Sequence, residues 1–142
     1  SIADAAPAIL MTAPLPDPIP LAPGAVLRRL WTGGVWCEGP AWLASTRELV
    51  FSDIPGNRML AWCAKDGSVR VYRSPSRFAN GNAVDGAGRL LTCEHGSRSV
   101  VRRELDGRLR TLADRHGGAR LNSPNDVSVA SDGAVWFTDP PY

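Results

Sequence analysis

The sequence predicts an all-β protein of the β-propeller class, of which these 142 residues supply about the first two and a half blades. Three observations lead there. Setting Pro40, Asn82 and Asn125 in one column gives offsets of 42 and 43 residues, and the positions that follow agree as Trp42, Val84 and Val127. Each copy then carries a short apolar run, ELVFSD, RLLTCEH and AVWFTD, rich in the residues that favour strands. Short turn sequences such as Asp66-Gly67, Asp106-Gly107 and Asp132-Gly133 separate the runs, which makes neighbouring strands antiparallel. A period near forty with four short strands per unit is the signature of a propeller blade, and a generic all-β meander or sandwich is the competing reading.

The elements follow in order. Residues 1–24 hold Pro7, Pro14, Pro16, Pro18, Pro20 and Pro23 among alanines, which predicts an extended arm with no regular pairing. Residues 25–32, AVLRRLWT, read as a strand that Gly33-Gly34 ends. Blade one spans about 38–74, with runs at Val35–Leu43, Glu48–Asp53, Arg58–Cys63 and Ser68–Arg73. Blade two spans about 80–114, with runs from Asn80, Arg89, Arg98 and Arg108, and blade three begins at about 123 and continues to 142. The best helical candidate is a turn or so near Ala113–Gly117. Because a propeller closes with four to eight blades, the expected complete protein is about twice as long as this chain.

Composition narrows the function. Sixteen basic and fourteen acidic residues leave a net charge of +2, and the arginines are scattered along strands and turns. Neither feature suits a nucleic-acid partner. No apolar run approaches a membrane span. Cys37, Cys63 and Cys93 are odd in number and form no C-x-x-C pair, so free thiols in a reducing compartment are expected rather than a disulfide framework or structural zinc. No secretory leader is recognisable, and the expected location is the cytoplasm, with periplasm or secretion left open by the uncertain start.

The candidate chemistry lies where each blade's first strand begins. In a propeller these strands line the central channel, so Glu38, Asn80, Asn82 and Asn125 should converge at one mouth. Carboxylate and amide oxygens suit a hard cation such as calcium, which can polarise a carbonyl or phosphoryl oxygen. Each residue also has a plainer reading: Glu38 as a solvated turn residue, Asn80, Asn82 and Asn125 as turn-forming amides. Asp126 should face the opposite side of its strand in a structural role, Asp53 and Asp139 should cap turns, and His95 and His116 are isolated histidines.

These motifs, taken together, resemble a known family. Glu38-Gly39-Pro40-Ala41-Trp42, Phe51–Arg58, Asn80-Gly81-Asn82, Gly88–Gly96, Ser123–Val127 and Trp136–Tyr142 stand in the order and spacing of the gluconolactonase/regucalcin (senescence-marker protein) family over roughly residues 25–142. The resemblance implies a six-bladed propeller with a divalent metal, most often Ca2+, though Zn2+, Mg2+ or Mn2+ also fit, and a small-molecule lactone as substrate. It implies Glu38 as a metal ligand and Asn125 as the blade-three asparagine that binds metal or substrate, taken here as a metal ligand; Asn80, Asn82 and His95 are the candidate substrate-binding residues. The other ligands and the general base are implied beyond residue 142, and residues 25–32 as the strand that latches the ring. The expected activity is hydrolysis of a sugar lactone; the alternatives are a non-catalytic propeller binding calcium or a partner, or a related phosphotriester hydrolase.

Overall fold

A computed structural model describes residues 22–142, so the Pro/Ala-rich arm lies outside the described residues except for its last three positions. Every regular element described is a strand. One antiparallel meander holds β1 (Cys37–Leu43), β2 (Glu48–Asp53), β3 (Arg58–Cys63) and β4 (Val69–Arg73) in that order. A second holds β5 (Ala79–Val84), β6 (Leu90–Glu94), β7 (Ser99–Arg103) and β8 (Leu109–Ala113). A small hairpin, β9 (Arg115–His116) and β10 (Ala119–Arg120), precedes β11 (Val127–Val129) and β12 (Val135–Phe137), which open the third sheet. The turns explain the meanders. Asp66, Asp106 and Asp132 each accept a hydrogen bond from the amide two residues on, at 2.9, 3.0 and 2.9 Å. The glycine after each takes a φ of +75°, +87° or +87°, a conformation that a Cβ opposes.

The core lies between the sheets. Successive side chains of a strand point to opposite faces, and both faces of β6 are covered, so that all five of its residues are buried. Leu90 joins Ala41, Leu43, Val50 and Met59 in a cluster shared by the first two sheets. Leu91 and Cys93 join Val100 and Val127 in a second cluster, with Phe137 packed against it. Each fully buried leucine is worth about 1.5–3 kcal/mol, so contact between sheets contributes much of the cohesion. The outer strand β8 is half-exposed to exposed.

Strand register refines the repeat. Glu38 lies opposite Ser52, Ala79 opposite Glu94, and the Asn125 amide bonds Thr138 O. These pairings make Glu38, Asn80 and Asn125 equivalent, and they align Asn82 with Val127. The column that matched Asn82 to Asn125 was therefore two residues out. A slip of two preserves the alternation of faces, so the pattern cannot expose it.

One further expectation is corrected, and another finds no partner here. The helical turn near Ala113–Gly117 is instead the β9–β10 hairpin, whose central Gly117 and Gly118 have φ of +56° and +84°, as a tight two-residue turn requires. Residues 25–32 pair with no strand among the described residues, which do not include the last-blade strands that the expected latch would need. Within that stretch Trp31 packs its ring against Phe51 at 5.9 Å.

Candidate functional site

The inner strands of successive blades meet through glycine. Gly39 has a φ of +57°, and a Cβ there would press on Asn80 O; a Cβ at Gly81 would lie 2.6 Å from both Asn125 O and Asp126 Cα. Across these contacts Ser52 Oγ donates to Asn80 O at 2.7 Å, and the Gly81 amide donates to Asn125 O at 2.7 Å. Both β1 and β5 shift register just here, between Glu38 and Ala41 and between Ala79 and Asn82. Such bulges re-aim side chains at the rims of sheets.

The result is a cavity of about 340 Å³ lined by Trp36, Glu38, Asn80, His95, Asn125 and Tyr142, with Ile54 and Pro55 on one wall. The three equivalent residues of three blades therefore share one space. Glu38 Oε1 accepts from Trp36 Nε1 at 2.9 Å, and Asn125 Nδ2 donates to the Tyr142 hydroxyl at 2.6 Å. Asn80 Nδ2 lies 3.2 Å from His95 Nε2. With that nitrogen as the acceptor, the ring proton sits on Nδ1. Burial lowers the His95 pKa below its ordinary value, which favours the neutral ring. The ring of Tyr142 meets His95 edge-on, centroids 6.2 Å apart. A second, more polar hollow adjoins the first across His95 and Tyr142 and is lined also by Arg98, Asn122 and Ser123.

The backbone leading into Asn80 is strained. Arg77 and Phe78 have φ of 60° and 54°, uncommon for side chains of that size. Asn57 of blade one holds them, accepting the Phe78 amide at 2.9 Å on Oδ1, while the His95 and Gly96 amides bond Phe78 O and Arg77 O. The strain thus fixes how β5 enters the channel, a use of backbone outliers common at functional sites.

Asn82 does not join the site. Its Nδ2 donates to Gly39 O, Ser52 Oγ and Asn80 O at 2.9–3.0 Å, and its Oδ1 accepts from Thr92 Oγ1 at 2.8 Å. Buried and fully engaged, the side chain ties two blades together and has no N–H left for a substrate. Its strand face is the reason: it lies two residues beyond Asn80, past the bulge. Asp126 bonds the amide of Val127, the structural role expected of it. Asp53 accepts the Val35 and Trp36 amides and Arg58 Nε, and Asp139 accepts the Asn122 amide on both oxygens. Burial works to raise the Asp53 pKa, but hydrogen bonds from Val35, Arg58 and Trp36 outweigh it and hold the carboxyl below its ordinary value. His116 is exposed on the β9–β10 hairpin.

Trp36 and Tyr142 are the site residues that sequence reasoning missed. Trp36 had a signal: it stands two residues before Glu38, which in an extended chain puts both on one face. Tyr142 had none, since its contact with Asn125 spans seventeen residues.

As to a cation, no group of three His, Cys, Asp or Glu side chains gathers among the described residues. That disfavours a thiolate–imidazole site, while the donors left over are hard oxygens: the second oxygen of Glu38 and the amide oxygens of Asn80 and Asn125. They fit part of a calcium shell, which takes six to eight oxygens, and do not complete one.

Fold and site define a β-propeller whose channel mouth carries one carboxylate and two amides at equivalent blade positions. The model of the SMP-30/Gluconolactonase/LRE-like region matches residues 36–142, and the chain belongs to that family. A gluconolactonase of Zymomonas mobilis is 36% identical over 121 residues, 75% of this chain and 34% of that protein. Among solved structures, a gluconolactonase of Xanthomonas campestris is 51% identical with a TM-score of 0.75, covering 80% of this chain and 38% of the other. A putative gluconolactonase is 42% identical with a TM-score of 0.79, covering 85% and 42%. The chain thus spans roughly two-fifths or less of the length of these relatives.

Proposed function

We propose that the gene product carrying this chain hydrolyses a sugar lactone with the help of a divalent cation, calcium before zinc, magnesium or manganese. The supporting observation is that Glu38, Asn80 and Asn125 occupy the same strand position in three blades and line one cavity, in a chain whose relatives include gluconolactonases. Glu38 and Asn125 are the residues that would hold the cation. When bound, such a cation polarises the lactone carbonyl and stabilises the oxyanion that water attack creates.

The chain's own groups act around that centre. Asn80 and His95, bonded to each other, present amide and imidazole polar atoms to sugar hydroxyls, and the lowered His95 pKa keeps the ring uncharged near neutrality. Ile54 and Pro55 give the cavity an apolar wall, which limits the water that competes for the polar atoms. Glu38 is the one carboxylate lining the cavity among the described residues, and as a ligand it cannot also serve as base. The base is therefore assigned outside them.

The test is a pH-stat assay of the gene product on glucono-lactone. Acid release abolished by a chelator, restored by calcium and lost in Glu38→Gln supports the reading. Turnover untouched by chelator, or by Glu38→Gln, refutes the cation's role. No turnover of any lactone, with calcium still bound, moves the reading to a phosphotriester hydrolase or a non-catalytic calcium-binding propeller.

A further inference from the structure

The cation-site reading leaves open what holds its ligands in place. A glutamate on an exposed strand end samples several rotamers, and a free terminal amide presents NH2 as readily as oxygen. Only oxygen can ligate. Sites that work fix their ligands through outer hydrogen bonds. The structure shows such a bond at each ligand, in both cases with an aromatic side chain.

Indole Nε1 is a donor only, so the 2.9 Å contact between Trp36 Nε1 and Glu38 Oε1 fixes one carboxylate oxygen and leaves Oε2 over. On the other side, Asn125 Nδ2 donates to the Tyr142 hydroxyl at 2.6 Å, which holds the NH2 end of the amide and leaves Oδ1 over. The main chain of Asn125 is fixed as well, through Thr138 O and the Gly81 amide. Both rings stand at the same cavity.

We infer that Trp36 and Tyr142 are positioning residues. Each bonds one polar atom of its partner, Glu38 or Asn125, so that a single oxygen is presented to the cavity. The inference rests on the cation-site reading, and it concerns the orientation of the ligands and not their identity.

Terbium(III) is the probe, applied to the intact gene product. Its affinity is read by direct excitation of the lanthanide, and its proximity to indole by emission sensitised through tryptophan. Trp36→Phe and Tyr142→Phe keep a ring and remove the hydrogen-bonding atom. Each should weaken Tb3+ binding about tenfold, the lower end of what outer-ligand changes cost, with the metal-free melting temperature unchanged. Trp36→Phe should also lose most of the sensitised emission, whereas Tyr142→Phe should keep it at saturation. Trp36→His, which restores an N–H donor, should recover affinity without recovering sensitisation. Wild-type affinity in both Phe variants overturns the inference while the cation site stands. Weaker binding that merely tracks a lowered melting temperature overturns it too. A wild-type protein that binds no Tb3+ overturns the cation site itself, and the inference with it.

Discussion

Gly81→Ala puts the close approach of β5 to the start of β11 to the test. The backbone at Gly81 is ordinary, so the substitution carries no conformational strain, only volume. Its Cβ would stand 2.6 Å from Asn125 O and from Asp126 Cα, and 2.5 Å from Asp126 Oδ1. The carboxylate can swing away, but the two backbone atoms move only with their strand. Opening those gaps to the ~3.5 Å of an ordinary contact displaces the start of β11 by about 1 Å. The same motion stretches the 2.7 Å hydrogen bond from the Gly81 amide to Asn125 O. Overpacking of this kind costs about 1–3 kcal/mol. A ligand displaced by about 1 Å can cost about 100-fold in rate, so kcat/KM on glucono-lactone should fall by that order. Urea unfolding measures the first effect and pH-stat kinetics the second. Gly86→Ala is the control: a Cβ there meets nothing within 4 Å, so activity should hold and stability should stay equal or rise by up to ~1 kcal/mol. A Gly81→Ala protein with wild-type kcat/KM refutes the coupling of this contact to the site.

Three other outcomes follow from the same geometry. Asn82→Ala should lower stability by about 1–3 kcal/mol, because buried partners lose their hydrogen bonds, while KM for the lactone stays put; a raised KM at unchanged stability would return Asn82 to the substrate. The folded pKa of Asp53 lies below its ordinary 3.8, so its contribution is complete above about pH 4 and lost as pH falls through the folded value. The urea midpoints of wild type and Asp53→Asn should differ at neutral pH and converge in acid; parallel curves would sink this. Burial first, then the charges of Asp126 and Asp139, push the Cys93 thiol up to about 12; burial raises the Cys37 thiol too, but Cys37 is exposed where Cys93 is buried. Iodoacetamide near pH ~8 should therefore label Cys37 and spare Cys93 until the protein is unfolded, as peptide mass spectrometry would show.

The fold was legible because its determinants are local. Alternating strands and Asp-Gly turns are written within a few residues of themselves, and the blades follow from their repetition. What escaped needed information from farther away. Asn80 and Asn82 lie on the same side of an alternating pattern, and only the bulge, set by contact with Gly39, sends one to the cavity and the other into the sheet contact. Gly117-Gly118 favours a hairpin, a local signal that outweighs the helical turn expected near Ala113–Gly117. The stretch 25–32 has a strand's composition without a paired edge among the described residues, and pairing is not a local property. Glu38, Asn80 and Asn125 could be placed together from the propeller plan alone, whereas His95 came only from the family resemblance. Tyr142 could not, since its position depends on the path of the chain through Pro140 and Pro141.

The glycines between blades divide the labour along each inner strand. Glu38 is followed by Gly39 and Asn80 by Gly81; in each pair one residue faces the cavity and the next sets how closely two blades approach. The two demands fall on neighbouring codons and not on the same one. Side chains at 38, 80 and 125 are therefore exchangeable parts, open to replacement without altering the distance between sheets. A library randomised at those three positions should remain largely folded while its ligand preference drifts, and one randomised at 39 and 81 should lose most of its members to misassembly. This architecture lets new chemistry be tried at the mouth while the ring beneath it stays the same.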